Sequence, residues 1–527
     1  MGAMSTAGDP SSNPGPQDDS LTASQMDPNP LFVYCSSMSM KQIAHWALDT
    51  ASKRGASYGD ARIVSDRQRA LATKNGKIGH ASDSESLGIG IRVLVNKAWG
   101  FASTDDLSRE SVEATAARAV EIARASSRVQ QHPIQLAPEK PITAEWINPC
   151  KIDPFSTSVE QNLVLLMACD KELRSVEGVT LAEVQMTLRR YEQWFYSSEG
   201  SDIHQTRFTT GVGYDAFAFA GTEIQKRSYP NSFGGQYQNK GYELIDELQL
   251  VENAKRIGEE AVALHKAPQC PEGQFTVILG SSQLGLQIHE SVGHPIELDR
   301  VLGMEANFAG TSFLTIDKLR NLRYGSPIVN VVADATEDHG PGLGTFAYDD
   351  EGVPAQCTPI IKAGEFTGYL SSRETAHTIG EQHSNGTMRA EGWNRIPLIR
   401  MTNVSILPGE KPLTLDQLIA DTNDGIYMET NRSWSIDDKR YNFQFGCEIG
   451  WEIKNGKLGR MFKNPSYSGI TTEFWNSMDA ICSRDEWRLW GTPNCGKGQP
   501  MQTMGTGHGA APARFRDIAV GSAYKGT

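Results

Sequence analysis

The spacing of hydrophobic positions changes character near residue 270. At 41–54, Ile43, Trp46 and Ala47 recur at helical spacing and predict an amphipathic helix. Strand-like runs follow at 60–64, 88–95 and 97–101, the last two joined at Asn96-Lys97, which reads as a hairpin turn. At 108–125 the helical period returns, with Val112, Ala116, Ala119, Val120 and Ala123 on one face and serines at the start to cap it. A second block opens near Pro154. It predicts a helix over 159–176, strands around 180–187, 189–197 and 206–220, and a helix over 244–265.

Ala267-Pro268-Gln-Cys-Pro271 then punctuates the chain and places the main domain boundary there. Beyond it the sequence is Gly-rich, with strand candidates at 275–279, 328–332 and 398–401. The expected fold class is α+β in two domains: residues 31–268 form an N-terminal mixed domain. Residues 269–527 form a mainly antiparallel β domain carrying one short helix. Residues 1–30, with almost nothing apolar, read as a disordered tail. Met1-Gly2-Ala3-Met4 reads as a vector scar before a second start, and Met1-Gly2 with Thr6 formally fits a myristoylation pattern. No period of 20 to 50 residues suggests a solenoid.

Composition narrows the partners. The chain has 527 residues, 39% hydrophobic and 21% charged, as in soluble globular proteins. The longest apolar runs, such as 163–169, fall far short of the roughly 20 residues that a membrane span needs. With no secretory pattern at the start, the expected location is cytoplasmic. A net charge of −13 argues against nucleic acid as a main partner, because phosphate binding needs a basic surface. The eight cysteines include no CxxC pair, so neither a disulfide framework nor a zinc ribbon is indicated. One of them can still ligate a metal as a thiolate.

The candidate chemistry lies on the short helix. After strand 275–279, Gly280-Ser281-Ser282 offers hydroxyls able to cap a helix, and Leu284, Ile288 and Val292 form one stripe. His289-Glu290-Ser-Val-Gly-His294 rides on it. The familiar zinc-protease spacing is i, i+4; here it is five, which on a straight α-helix turns the second side chain about 140° from the first. Two routes bring both rings to one metal. Either Gly293 and Pro295 end the helix and displace His294, or a π-bulge widens it. A catalytic zinc site needs a third protein ligand, which local spacing does not choose. Glu290, beside a ligand, is placed to act as general base.

These segments together resemble the TldD/PmbA family of peptidases, in its motif-bearing, TldD-like branch. The likeness runs through Gly88-Ile-Gly-Ile-Arg-Val-Leu-Val95, Lys97-Ala-Trp-Gly-Phe-Ala-Ser-Thr104 and the His289–His294 motif. It continues through Gly344-Thr-Phe-Ala-Tyr-Asp-Asp-Glu-Gly-Val-Pro354, Arg400-Met-Thr-Asn403 and Cys495-Gly-Lys-Gly-Gln499. The resemblance implies Zn2+ held by His289, His294 and Cys495, with Glu290 catalytic; Cys357 is the runner-up ligand. It also implies extended or modified peptides as substrates, and a homodimer or a heterodimer with a family-related subunit. Two other functions stand beside this: a zinc-dependent amide or C–N hydrolase of small molecules, and a noncatalytic partner-binding subunit. The chain departs from the family pattern in Pro295-Ile-Glu-Leu-Asp299 and in His508, which reads as an oxyanion donor, a substrate contact or a loop residue. The tryptophans at 434, 451, 475, 487 and 490 read as core packing or as a pocket lining.

Overall fold

The alternating pattern at the start of the chain builds a long antiparallel meander. In the computed structural model, which describes residues 39–308 and 310–521, β1 (Tyr58–Lys74), β2 (Lys77–Val95) and β3 (Ala98–Thr104) pair in sequence. The tail read at 1–30, and the myristoylation pattern within it, lie outside the described residues. Asn96 and Lys97 join β2 to β3 with φ of 50° and 61°, the left-handed pair that a two-residue hairpin turn requires. The helices Met40–Lys53 and Arg109–Ser126 cover these strands. Ser39 caps the first by accepting the Gln42 N–H, and Ser108 caps the second by accepting the Ser111 N–H. Their buried stripes meet Ile63, Ile89, Ile91 and Val93 in one core. Gly100 lets the second helix rest on the strand backbone, for a Cβ there would stand 2.0 Å from the Ala119 carbonyl oxygen.

β4 (Thr143–Ile147), β5 (Leu181–Ser197), β6 (Asp202–Ala220), β7 (Glu223–Tyr229) and β8 (Gln236–Gln238) complete this sheet. Its order is β3-β2-β1-β5-β6-β4, with β7 and β8 also paired to β6. Helices Val159–Arg174 and Leu250–Lys266 pack around Val184, Leu188 and Val212 in a second core. The single helix expected over 244–265 is broken. Glu243–Glu247 and Leu250–Lys266 part at Gln249, whose backbone is left-handed. Carbonyls beside the break are taken by tyrosines from the sheet: Tyr229 donates to Leu248 O at 2.8 Å and Tyr214 to Leu250 O at 2.9 Å. Those partners exist only in the tertiary fold, so local periodicity could not report the break.

Beyond Pro271 come β9 (Gly273–Leu279), β10 (Val331–Asp334), β11 (Cys357–Lys362), β12 (Glu365–Phe366), β13 (Met388–Arg389), β14 (Leu398–Ile399) and β15 (Asn403–Ile406). β16 (Asp424–Ile436), β17 (Asn442–Lys454), β18 (Lys457–Lys463) and β19 (Ser466–Ile470) follow. The last four are β20 (Met478–Ile481), β21 (Arg488–Lys497), β22 (Gln502–Ala510) and β23 (Ala513–Val520). Five of these close on themselves, β16-β9-β23-β19-β17 and back to β16, as a small barrel. Beside it lies a six-stranded sheet in the order β12-β11-β10-β15-β22-β21. Among the described strand-to-strand pairings of this half, β9–β16 and β15–β22 are parallel and the rest antiparallel, with two isolated parallel bridges besides, Gln269–Lys463 and Glu297–Leu370. The strand expected at 328–332 begins at Val331, because the Val329 N–H turns back to Ser326 O. The one expected at 398–401 is short, Leu398–Ile399 paired with Met388–Arg389, and beyond it the Arg400 guanidinium reaches the carbonyls of Cys495 and Gln502.

The protein is thus mixed α+β and rich in sheet. Among the described residues no helix is long and apolar enough to cross a membrane. The short helix Ser281–Ile288 leaves β9 and packs against β16 of the barrel and β22 of the neighbouring sheet. It carries the candidate chemistry into the junction of the two.

Candidate metal centre

The helix presents its apolar stripe as its sequence dictates: Leu284, Ile288 and Val292 are fully buried. Its N-cap is Gly280, with no side-chain capping bond. The serine expected to cap it has another partner, as Ser281 Oγ accepts the Trp490 indole N–H at 3.2 Å.

From His289 to Gly293 the helix widens into one π-turn, and the His294 N–H bonds the His289 carbonyl at 3.1 Å. An i→i+5 turn puts residues five apart on one face, so the irregular spacing becomes the regular one. The His289 and His294 rings lie 4.8 Å apart, centroid to centroid. Of the two routes weighed from the sequence, the bulge is the one used. His294 keeps right-handed helical backbone despite Pro295. Gly293 serves packing instead, since a Cβ there would meet Met401 Sδ at 2.1 Å.

Cys495, on β21 opposite Met504 of β22, brings its Sγ to 3.7 Å from His294 Nε2. One ligand atom from each of His289, His294 and Cys495 lies within 4.8 Å of the others, and all three residues are buried. With Zn–N of about 2.0–2.1 Å and Zn–S of about 2.3 Å, a tetrahedral site has edges of about 3.3–3.6 Å. The His294–Cys495 edge, at 3.7 Å, lies about 0.1 Å above that range.

Hydrogen bonds aim the imidazoles. The Val404 carbonyl can only accept, so His508 donates to it from Nδ1 at 3.0 Å and turns a bare Nε2 towards His289. His289 therefore donates from Nδ1 to His508 Nε2 at 2.7 Å, which leaves its own Nε2 lone pair free. His294 donates from Nδ1 to Glu297 Oε2 at 3.0 Å, leaving Nε2 facing Cys495. Such partners fix tautomer and ring orientation in metal sites.

Electrostatics agree with this arrangement. Burial pushes His289 and His294 below the ordinary imidazole range, so both are neutral, as ligands must be. Burial, with help from His289, lowers His508 further. Burial alone raises the Cys495 thiol, but the His294 ring and Arg400 outweigh it and the net shift is downward. Cys169 and Cys270, by contrast, are pushed up to about 12 by burial. Glu297 is likewise raised by burial and then carried well below the carboxylate range by Lys497, His294 and Arg300. The donor set is two neutral imidazoles and one thiolate-prone cysteine, a combination suited to zinc.

Glu290 is buried beside His289, and one of its oxygens pairs with Arg440 Nη1 at 2.5 Å. Arg440 sits on the turn between β16 and β17, with φ of 63°. Asp437 shapes that turn by accepting the Tyr441 and Asn442 N–H groups at 2.7 and 3.1 Å.

Two expectations are corrected. Cys357 is exposed on β11 and groups instead with Asp334 and His339, so it does not join the histidine pair. His508 is no loop residue: it lies buried on β22 behind His289. Trp475 and Trp487 are buried in the core, and Trp475 donates to Ser291 Oγ at 3.0 Å on the helix itself. Sequence reasoning also missed Glu297 and Arg440. Glu297 was legible in principle, three residues after His294 on the same short segment. For Arg440, 150 residues from Glu290, no sequence signal existed.

Comparison with known proteins places this geometry. Residues 59–123, 152–267 and 272–522 match the first, central and C-terminal domains of the PmbA/TldA metallopeptidases. A metalloprotease of Methanocaldococcus jannaschii is 31% identical over 456 residues, covering 86% of this chain and 95% of that one. A TldD homolog of Haemophilus influenzae is 25% identical over 90% of this chain and 94% of its own. A zinc metalloprotease TldD homolog of Saccharolobus solfataricus is also 25% identical, over 82% of this chain and 90% of its own. In fold, the chain resembles a Thermotoga maritima crystal structure with a TM-score of 0.71 and 17% identity, covering 92% of this chain and all of that one. It also resembles TldE of Thermococcus kodakarensis, with a TM-score of 0.67 and 14% identity over 90% of this chain and 99% of that one. On these matches, and with a His-His-Cys cluster where a metal would sit, the chain belongs to the PmbA/TldD metallopeptidase family and is a metalloprotease.

Proposed function

We propose that the chain is a zinc-dependent peptidase that hydrolyses bonds in extended or modified peptides, with Glu290 as general base. One observation carries this reading: His289, His294 and Cys495 converge with both imidazoles offering Nε2, and Glu290 stands next to them in the chain. His289, His294 and Cys495 would hold the zinc, which when bound would polarise the scissile carbonyl and lower the pKa of a nearby water.

The protein's own groups do the rest. Glu290 takes the proton from that water and passes it to the leaving amine. Arg440 holds Glu290 by Oε2, which fixes the carboxylate in place and leaves its other oxygen without that partner. His508 and Glu297 keep the two rings from turning away.

The test is to incubate the zinc-loaded protein with an unfolded peptide of mixed composition and follow fragments by mass spectrometry. Cleavage is expected, and Glu290→Gln should lower it by about 10²–10⁴-fold while zinc content stays unchanged. Cleavage that survives in Glu290→Gln, or after zinc is stripped with a chelator, overturns the reading.

A further inference from the structure

Between the large N-terminal sheet and the metal-bearing half lies a cavity of about 410 Å³, within the range of small-ligand pockets. Its floor includes one cross-strand row, Asp66–Tyr191–Arg207, running over β1, β5 and β6. Its roof includes Arg389 and the Thr503–Gly505 stretch of β22. That roof continues into the metal centre. Met504 pairs with Cys495, and two residues on, Thr506 places its hydroxyl 3.0 Å from His508 Nε2 and 3.4 Å from His289 Nδ1. Residues i and i+2 on a strand share a face, so the cavity and the metal donors lie along one surface.

Charge in this cavity does not balance. Three arginines line it, Arg189, Arg207 and Arg389, against two carboxylates, Asp66 and Glu391. Asp66 is fully engaged by Arg189, in a two-point pair at 2.7 and 2.8 Å. Glu391 leans on Arg395 at 3.9 Å. Arg207 has no ion pair or side-chain hydrogen bond among the described residues; it lies against the Tyr191 ring, 4.6 Å from its centroid, and the two carboxylates that act on it, Asp350 and Asp66, are each paired with another arginine. Arg389, 5% exposed, donates from its two Nη atoms to the carbonyls of Met401, Gly505 and Leu343, and its Nε has no partner. Nearby Asp350 is already bound to Arg62 at 3.5 Å and to the Ala390 N–H at 2.6 Å. Burial first, then Arg207 and Arg400, pull the Arg389 guanidinium down to about 9, with Asp350 opposing them only in part.

Enclosed cations that outnumber their carboxylates, and share them with other arginines, are costly unless something else supplies the missing negative charge. We infer that the cavity is a substrate subsite that takes a carboxylate of the peptide, with Arg207 as the recognising group and Arg389 adding positive charge behind it. This rests on the peptidase reading above. The carboxylate has two sources, an acidic side chain or the C-terminus of the peptide, and both present the planar two-oxygen face that a guanidinium binds well.

The test measures binding, on zinc-loaded Glu290→Gln protein, with matched peptides by isothermal titration calorimetry. One arm compares an internal Glu with Gln; the other compares a free C-terminus with its amide. The acid form is expected to bind about tenfold or more tightly in at least one arm, and the arm that responds names the source. Arg207→Met should shrink that ratio to about twofold or less, with Arg207→Lys in between. Equal affinity of acid and amide peptides in both arms overturns the proposal, as does an undiminished preference in Arg207→Met. The acid-against-amide comparison needs no arginine substitution, so it stands even if Arg207→Met fails to fold. A preference in binding without any turnover by the unsubstituted protein would sink the peptidase reading and leave the subsite. Turnover with no preference does the reverse.

Discussion

At the residue scale, the three candidate ligands are held by groups set behind them. His289 is aimed by His508, and His508 by the Val404 carbonyl; His294 is aimed by Glu297, whose charge is held by Lys497 and Arg300. Removing such a partner from a ligating histidine typically costs about 10–100-fold in metal affinity. His508→Ala should therefore weaken zinc by about that factor in competition with a chromophoric chelator, with far-UV circular dichroism unchanged. Unaltered affinity would reduce His508 to a packing residue. The pair His289 and His294 was legible because both lie within one short segment, as does Glu290. Cys495 was nominated by family resemblance alone, since it stands 201 residues from His294 and no spacing rule reaches that far.

At the scale of elements, two irregular turns place the chemistry. The π-turn over His289–Gly293 converts a five-residue spacing into one face, and the sequence allowed it without choosing it over a helix end. The choice is made by packing, with Met401 pressed on Gly293 and Trp475 bonded to Ser291. The β16–β17 turn brings Arg440 to Glu290, and Asp437 organises it. Burial raises Asp437, but bonds from Tyr441 and Asn442 outweigh this, and its carboxyl ends below the ordinary value. The sign follows from a depressed acid: the ionised group stabilises the fold above its unfolded pKa of about 3.9, and that stabilisation fades as pH falls through the folded value. Asp437→Asn should thus be less stable than the unsubstituted protein by about 1 kcal/mol at pH 7, measured by urea denaturation. The gap should hold down to about pH 4.5 and narrow only below about pH 4. A gap already closing between pH 7 and 5 would contradict this account of the turn.

At the scale of the molecule, most individual helices and strands were readable from periodicity, and their assembly was not. The barrel closes through pairs such as β9 with β23 and β9 with β16, which join residues about 150 to 250 positions apart; local pattern carries no trace of such partners. The two halves are further tied by Arg227 of β7, whose guanidinium meets Glu260, Glu429 and Glu448 at 2.9 to 3.1 Å. Into this frame the fold brings three ligand atoms from chain segments that meet only when the barrel and the six-stranded sheet are both formed. The central claim is that these atoms, two imidazole nitrogens and one sulfur, hold zinc. Zinc K-edge X-ray absorption on the zinc-loaded protein tests it directly. The account predicts nitrogen scatterers at about 2.0–2.1 Å and one sulfur at about 2.3 Å, the sulfur vanishing in Cys495→Ser; a shell of nitrogen and oxygen alone in the unsubstituted protein would contradict it.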